Sequence, residues 1–238
     1  MRLQVEIRKF LMDKKPLRFL VSITFVFAAL CFVPTARTTE ATSYSPSYSF
    51  ASAITSGGYF MAGRDGSVYG FNAPSYGSLP GTALNKPIVG MASTPDGKGY
   101  WLVASDGGIF TFGDAAYYGS TGAMTLNKPI VGMASTPDGK GYWLVASDGG
   151  IFTFGDAAYY GSTGAMTLNK PIVGMASTPD GKGYWLVASD GGIFTFGDAA
   201  YYGSEGSAPL NSPVIGIRSP QSGGGYWMYS AKGDVFPL

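Results

Sequence analysis

Residues 86–127 and 128–169 are identical, each reading KPIVGMASTPDGKGYWLVASDGGIFTFGDAAYYGSTGAMTLN, and a third copy, 170–211, matches them through Ser204. A 42-residue unit cannot enclose a core of its own, so each copy must bury its faces against its neighbours. Aligning outward adds a diverged unit at either end. Tyr59, Tyr100, Tyr142, Tyr184 and Tyr226 are spaced 41, 42, 42 and 42 residues apart, and Pro46, Pro87, Pro129, Pro171 and Pro213 keep the same spacing. The units therefore run about 45–85, 86–127, 128–169, 170–211 and 212–238, the last stopping before any AAYYGS segment.

Turn residues cut one unit into short pieces. PIVGMAST ends at Pro95-Asp96-Gly97, GYWLVAS ends at Asp106-Gly107-Gly108, and IFTFG and AAYYGS follow. Pieces this short, rich in β-branched and aromatic residues and bounded by Gly, Pro or Asp, read as strands joined by hairpins. GYWLVAS and IFTFG are apolar on both alternating faces, as strands sandwiched between neighbouring sheets must be. The composition agrees, with 36 Gly, 15% aromatic and 13% charged residues. One unit thus predicts a four-stranded meander.

Such meanders stacked radially give an all-β fold, a β-propeller of about five four-stranded blades with the last incomplete. A β-trefoil closes with three units and has no place for five, and the rungs of an open β-solenoid are normally shorter. The missing strand of the last blade has two candidate sources. Residues 42–49 supply it within the same chain, or two chains exchange strands as a homo-oligomer.

The first forty residues are a separate object. Arg2, Arg8, Lys9, Lys14, Lys15 and Arg18 precede an uncharged run from Phe19 to Val33, the pattern of a helical secretory signal over residues 1–41. The run of 15 is shorter than the roughly 20 residues of a comfortable membrane span. No good small-x-small cleavage site follows, so an uncleaved N-terminal anchor stays open, and it is the chain's one expected contact with a membrane. The domain at 42–238 is expected to be secreted or to sit at the cell surface. It carries nine basic against twelve acidic residues, a net charge of −3. That balance offers no footprint for nucleic acid.

Over GMASTPDGKGYWLVASDGGIFTFGDAAYYGS the chain resembles a repeat of secreted, surface-associated actinobacterial proteins, often attached to cell-wall hydrolase modules. The resemblance implies a propeller-like fold, export and a place at the bacterial surface. It carries over no catalytic residue.

The chain has no His, and its one Cys, Cys31, lies in the leader, which removes Ser-His-Asp and Cys-His catalysis and His- or Cys-based zinc sites from the remaining domain. Its acidic residues fall mainly into three symmetric sets. Asp96, Asp138 and Asp180 stand in P-D-G; Asp106, Asp148 and Asp190 in D-G-G; Asp114, Asp156 and Asp198 in G-D-A-A. The first two sets read as turn-forming Asp. A glycosidase needs a specific pair of carboxylates rather than equal copies on each blade, and a calcium cage needs several within one loop. No catalytic residue, metal ligand or cofactor is assigned. Aromatics are the remaining candidates. Trp101, Trp143, Trp185 and Trp227 suit the space between blades. Tyr117, Tyr118, Tyr159, Tyr160, Tyr201 and Tyr202, on an outer strand, are the candidate exposed aromatics for binding, at least one of each pair facing solvent. The expected function is a non-enzymatic binding module whose partner is a cell-wall glycan or another surface polymer or protein. A structural spacer and a glycosidase-like enzyme are the alternatives.

Overall fold

Each unit folds as one antiparallel meander of three strands, not four. The structure, a computed structural model, describes residues 48–51, 58–207, 209–220 and 222–238. Of the two units into which the chain divides, Met1–Ser43 lies outside the described residues, with the expected leader helix; Tyr44–Leu238 holds every described strand. Blade 1 is β1 (Tyr48–Ala51), β2 (Tyr59–Gly63) and β3 (Val68–Phe71); blade 2 is β4 (Ile88–Ser93), β5 (Gly99–Ala104) and β6 (Ile109–Gly113). Blade 3 is β7 (Ile130–Ser135), β8 (Gly141–Ala146) and β9 (Ile151–Gly155), and blade 4 is β10 (Ile172–Ser177), β11 (Gly183–Ala188) and β12 (Ile193–Gly197). Blade 5 is β13 (Val214–Arg218), β14 (Trp227–Ser230) and β15 (Val235–Pro237). The described residues contain no helix.

Within each blade the strands hydrogen-bond in sequence order. The first strand lies innermost: β1 packs on β4, β4 on β7, β7 on β10 and β10 on β13. A register shift between Ile88 and Gly90 recurs in β7, β10 and β13, and such bulges add the local twist that turns one blade relative to the next. Gly90, Gly132, Gly174 and Gly216 form a column at the axis. A Cβ on Gly90 would stand 3.3 Å from Gly132 Cα, and one on Gly174 would stand 3.4 Å from Gly216 Cα. Glycine is what lets these inner strands approach so closely.

The core is the space between blades. Four buried clusters join blades 1–2, 2–3, 3–4 and 4–5, and among the described residues none joins 5 to 1. Strand alternation builds them. In β5, Trp101 and Val103 face blade 3 while Tyr100, Leu102 and Ala104 face blade 1. Every residue of β5, β8 and β11 is buried, as their two-sided apolar pattern implied.

Two expectations need correcting. AAYYGS is not a strand: Gly113, at φ +66°, swings the chain off β6. The backbone beyond it then bonds to side chains rather than to a ladder. Ala116 C=O accepts the indole N–H of Trp101 at 2.7 Å, and Tyr118 N–H donates to the Tyr142 hydroxyl of the next blade at 3.1 Å. The last blade therefore lacks no strand. Its own β15 is in place, and Tyr226 and Leu238 exchange backbone hydrogen bonds of 2.9 Å each way. Residues 42–47 of the segment expected to complete blade 5 lie outside the described residues, and Tyr48 and Ser49 pair instead with Gly63 and Ala62 in blade 1.

Candidate functional site

The Tyr-Tyr pairs split by role. Tyr118 donates its hydroxyl to Gly139 C=O at 3.0 Å and packs on Tyr142 with ring centroids 5.7 Å apart; Tyr160 does the same with Gly181 and Tyr184. Both are half-buried rivets between blades. Tyr117, Tyr159 and Tyr201 point the other way and are 60, 61 and 61% exposed. Tyr202 is exposed as well, though it keeps a 5.7 Å ring contact with Tyr226. Of the six candidate tyrosines, Tyr118 and Tyr160 are thus committed to the fold.

The rivets hold because their partners stay protonated. Burial pushes the phenols of Tyr142 and Tyr184 up, opposed by backbone hydrogen bonds from the preceding blade. Each hydroxyl donates at 2.6 Å to the carbonyl of Gly119 or Gly161 while accepting the N–H of Tyr118 or Tyr160. One phenol thus satisfies two backbone groups across a blade boundary.

Beside Tyr160 and beside Tyr202 runs a side groove. Between blades 3 and 4 it is lined by Asp138, Trp143, Asp156, Tyr160 and the Asp180-Gly181 turn; between blades 4 and 5, Trp185, Asp198 and Tyr202 face Gly223-Gly224 instead. The P-D-G turns make the floor. Asp138 Oδ1 accepts the Lys140 N–H at 3.1 Å and the Thr136 hydroxyl at 3.0 Å, and Thr136 in turn caps Gly141 N–H at 2.9 Å. These bonds hold the carboxyls of Asp96, Asp138 and Asp180 down to about 2, the backbone N–H two residues on contributing most. The Lys bridges to these aspartates, 3.0 to 3.4 Å long, lie at the surface and add little. Asp156 stands beside Asp138 and Asp198 beside Asp180, and among the described residues no third acidic side chain joins either pair.

The D-G-G aspartates are turn formers, as their sequence pattern implied: Asp148 accepts Gly150 N–H at 2.9 Å. Asp114, Asp156 and Asp198 stand in the turn that follows the third strand of blades 2, 3 and 4. The indole N–H groups of Trp143 and Trp185 are used by Ala158 and Ala200 C=O, each at 2.7 Å. The grooves were not foreseen in the sequence, because their walls join turns of two successive repeats, as at Asp138 and Asp180.

A second cavity follows the axis, lined by Val, Gly and Met of the inner strands and by Arg218 and Tyr229 of blade 5. Arg218 is its one charged lining residue, and burial lowers its guanidinium below the ordinary value, partly countered by Tyr229.

No family model and no curated protein matches this chain. Among solved structures it is similar to the β-propeller domain of Myceliophteria thermophila Cps50 (Swd1), at 12% identity and a TM-score of 0.50, covering 73% of this chain and 59% of that one. It is also similar to a structural genomics protein of unknown function from Bacteroides thetaiotaomicron, at 16% identity and a TM-score of 0.49, covering 75% and 55%. The chain thus spans about three-fifths of the solved propeller domain. The likeness to that domain, together with five radially packed sheets, gives the fold: a β-propeller.

Proposed function

We propose that this propeller is a secreted or surface-held, non-enzymatic binding module that grips a polymeric glycan, such as cell-wall polysaccharide, through equal sites on successive blades. The observation that carries this reading is the splitting of the tyrosine pairs. In blades 2 and 3 one tyrosine, Tyr118 or Tyr160, holds the fold together while its neighbour, Tyr117 or Tyr159, leaves a ring about 60% exposed, and in blade 4 Tyr201 is exposed to the same degree beside the partly exposed Tyr202. An exposed ring suits stacking on a sugar face, and the groove aspartates are acceptors for sugar hydroxyls. Identical sites at 42-residue spacing favour a repeating ligand, since tethered weak sites multiply into avidity. The actinobacterial resemblance favours a wall polymer as that ligand.

The test is retention of the protein on purified cell wall, with and without soluble glycan fragments as competitor. Replacing Tyr117, Tyr159 and Tyr201 by Ala should abolish retention without altering the melting temperature. Undiminished retention of that triple variant sinks the reading. A structural spacer is the second reading, supported by the internal use made of every Trp from Trp101 to Trp185 and of the turn aspartates. No retention by the unaltered chain would leave that reading standing.

A further inference from the structure

Each boundary between blades in this chain repeats one contact: an aromatic on the trailing face of one blade packs on a tyrosine on the leading face of the next. The series runs Phe60 on Tyr100 at 5.0 Å, Trp101 on Tyr142 at 5.8 Å, Trp143 on Tyr184 at 5.9 Å and Trp185 on Tyr226 at 5.6 Å. Two members of the series are left over. Tyr59 occupies the leading-face position of blade 1 and Trp227 the trailing-face position of blade 5, and each is 45% exposed.

The outer strands around both are largely apolar, with Arg218 paired across the sheet from Trp227. On the leading face Phe71 stacks on Tyr59 at 4.7 Å and 14°, and Tyr69 stands exposed on the same strand face. On the trailing face Val235 is exposed beside Trp227's sheet, at the position where the buried interfaces carry Ile109, Ile151 and Ile193. We infer that these faces are the two halves of an intermolecular boundary, by which the trailing face of blade 5 docks on the leading face of blade 1 of a second copy.

The occupant follows from the four internal boundaries: what this chain packs on a leading Tyr is a trailing aromatic of the same repeat, and a second copy presents one in Trp227. The fit is not a copy of the internal boundary throughout. Arg218 and Tyr229 replace the Ala and Val that stand at their positions in blades 2 to 4, and Tyr229 fills the space beside Gly216 where a following inner strand would come. The junction is therefore built on the outer two strands, around Trp227 and Val235, and not at the axis. A face-to-different-face contact of this kind is heterologous and adds copies head to tail. It is independent of the glycan reading and would multiply the rim tyrosines along the assembly.

The experiment is sedimentation of the full chain in mild detergent over a range of concentrations, with variants that block one face each. Tyr59→Arg with Phe71→Arg blocks the leading face, and Trp227→Arg blocks the trailing face. The unaltered chain should associate with concentration, and either block should weaken association roughly 30-fold, the scale of losing an aromatic anchor. Mixing the two blocked variants should give a one-to-one dimer and nothing larger, because one free leading face and one free trailing face remain. Where an arginine lowers the melting temperature, the serine replacement at that position carries the test. An unaltered chain that stays monomeric at about 100 μM, well above the Kd of a specific boundary, overturns the inference. So does a mixture that stays monomeric, or association by the variant carrying all three changes.

Discussion

The sequence Gly-Tyr-Trp occurs at Gly141-Tyr142-Trp143 in the middle of the array and at Gly225-Tyr226-Trp227 at its end, yet the two indoles live in different solvents. Trp143 is fully buried and bonded to Ala158, whereas Trp227 is 45% exposed. At the other end Tyr59 stands where Tyr142 stands and is equally uncovered. The strand supplies the ring, and the neighbouring blade supplies the burial. Stability in such an array is a sum of intrinsic blade terms and boundary terms, so one substitution made in the middle and at the end isolates the boundary term.

The largest expected effect comes from tryptophan. Trp143→Ala removes a ring buried between blades 3 and 4 and orphans Ala158 C=O, and should cost about 3–5 kcal/mol. Trp227→Ala should cost about 1–2 kcal/mol in the monomer, since only about half of its surface is buried. Chemical denaturation of the two variants checks this directly. Equal losses would mean that Trp227 is covered in solution.

Glycine gives the next contrast. Gly149 and Gly233 occupy the same hairpin position in blades 3 and 5, at φ +79° and +89°. An alanine at 149 would carry the strain of that conformation and drive its methyl into Thr163, itself buried and bonded to Asp148 C=O; at 233 nothing lies within 4 Å. Gly149→Ala should therefore cost about 2–4 kcal/mol, strain plus overpacking, and Gly233→Ala about 1 kcal/mol, strain alone. Melting curves that shift equally would show that Thr163 yields freely.

The same contrast explains what could be read from the residues alone. PIVGMAS, GYWLVA and IFTFG became strands because alternation and turn residues within each piece decide them. Trp101, Trp143 and Trp185 between blades followed from their size and their place in a two-faced apolar strand, whereas Trp227, expected there on the same grounds, is 45% exposed because among the described residues no cluster covers its face. AAYYGS misled because its backbone partners lie elsewhere, in Trp101 behind it and Tyr142 ahead of it, and no local pattern announces such bonds. For the same reason two adjacent tyrosines of identical chemistry could not be told apart as rivet and free ring. Closure was illegible too, since it depends on which faces find each other and on Arg218 and Tyr229, whose intrusion at the axis breaks the repeat at one blade.

A smaller effect is expected in acid. Asp96, Asp138 and Asp180, in blades 2 to 4, have carboxyls lowered to about 2, so the folded state holds their protons less well than the unfolded chain does. Their contribution is complete above the unfolded value near 4 and is lost as pH falls from about 4 to 2. Blade 5 carries Ser222 where blades 2 to 4 carry this aspartate and has no carboxyl to protonate there. The melting temperature should fall through that window, and less steeply when all three become Asn. A triple variant with an unchanged acid slope would assign the acid sensitivity to other carboxylates, Asp65 among them, which is also lowered.

The smallest effect on stability is expected at the ring proposed to do the most for binding. Tyr160→Ala deletes a hydroxyl bonded to Gly181 and a ring packed on Tyr184, about 1 kcal/mol for each, so about 2 kcal/mol together. Its neighbour Tyr159 is 61% exposed and joins no core cluster, so Tyr159→Ala should leave stability within about 0.5 kcal/mol. Binding should reverse that order. Loss of Tyr159 removes one of three equal sites and should lower retention on cell wall through avidity, whereas Tyr160→Ala, measured well below its melting temperature, should leave retention largely intact. Both measurements on both variants are needed, because a stability loss alone can mimic a binding loss. Were Tyr159→Ala to destabilise the fold as much as Tyr160→Ala, the exposed ring would be a packing residue, and the division of each tyrosine pair into rivet and ligand platform would fail.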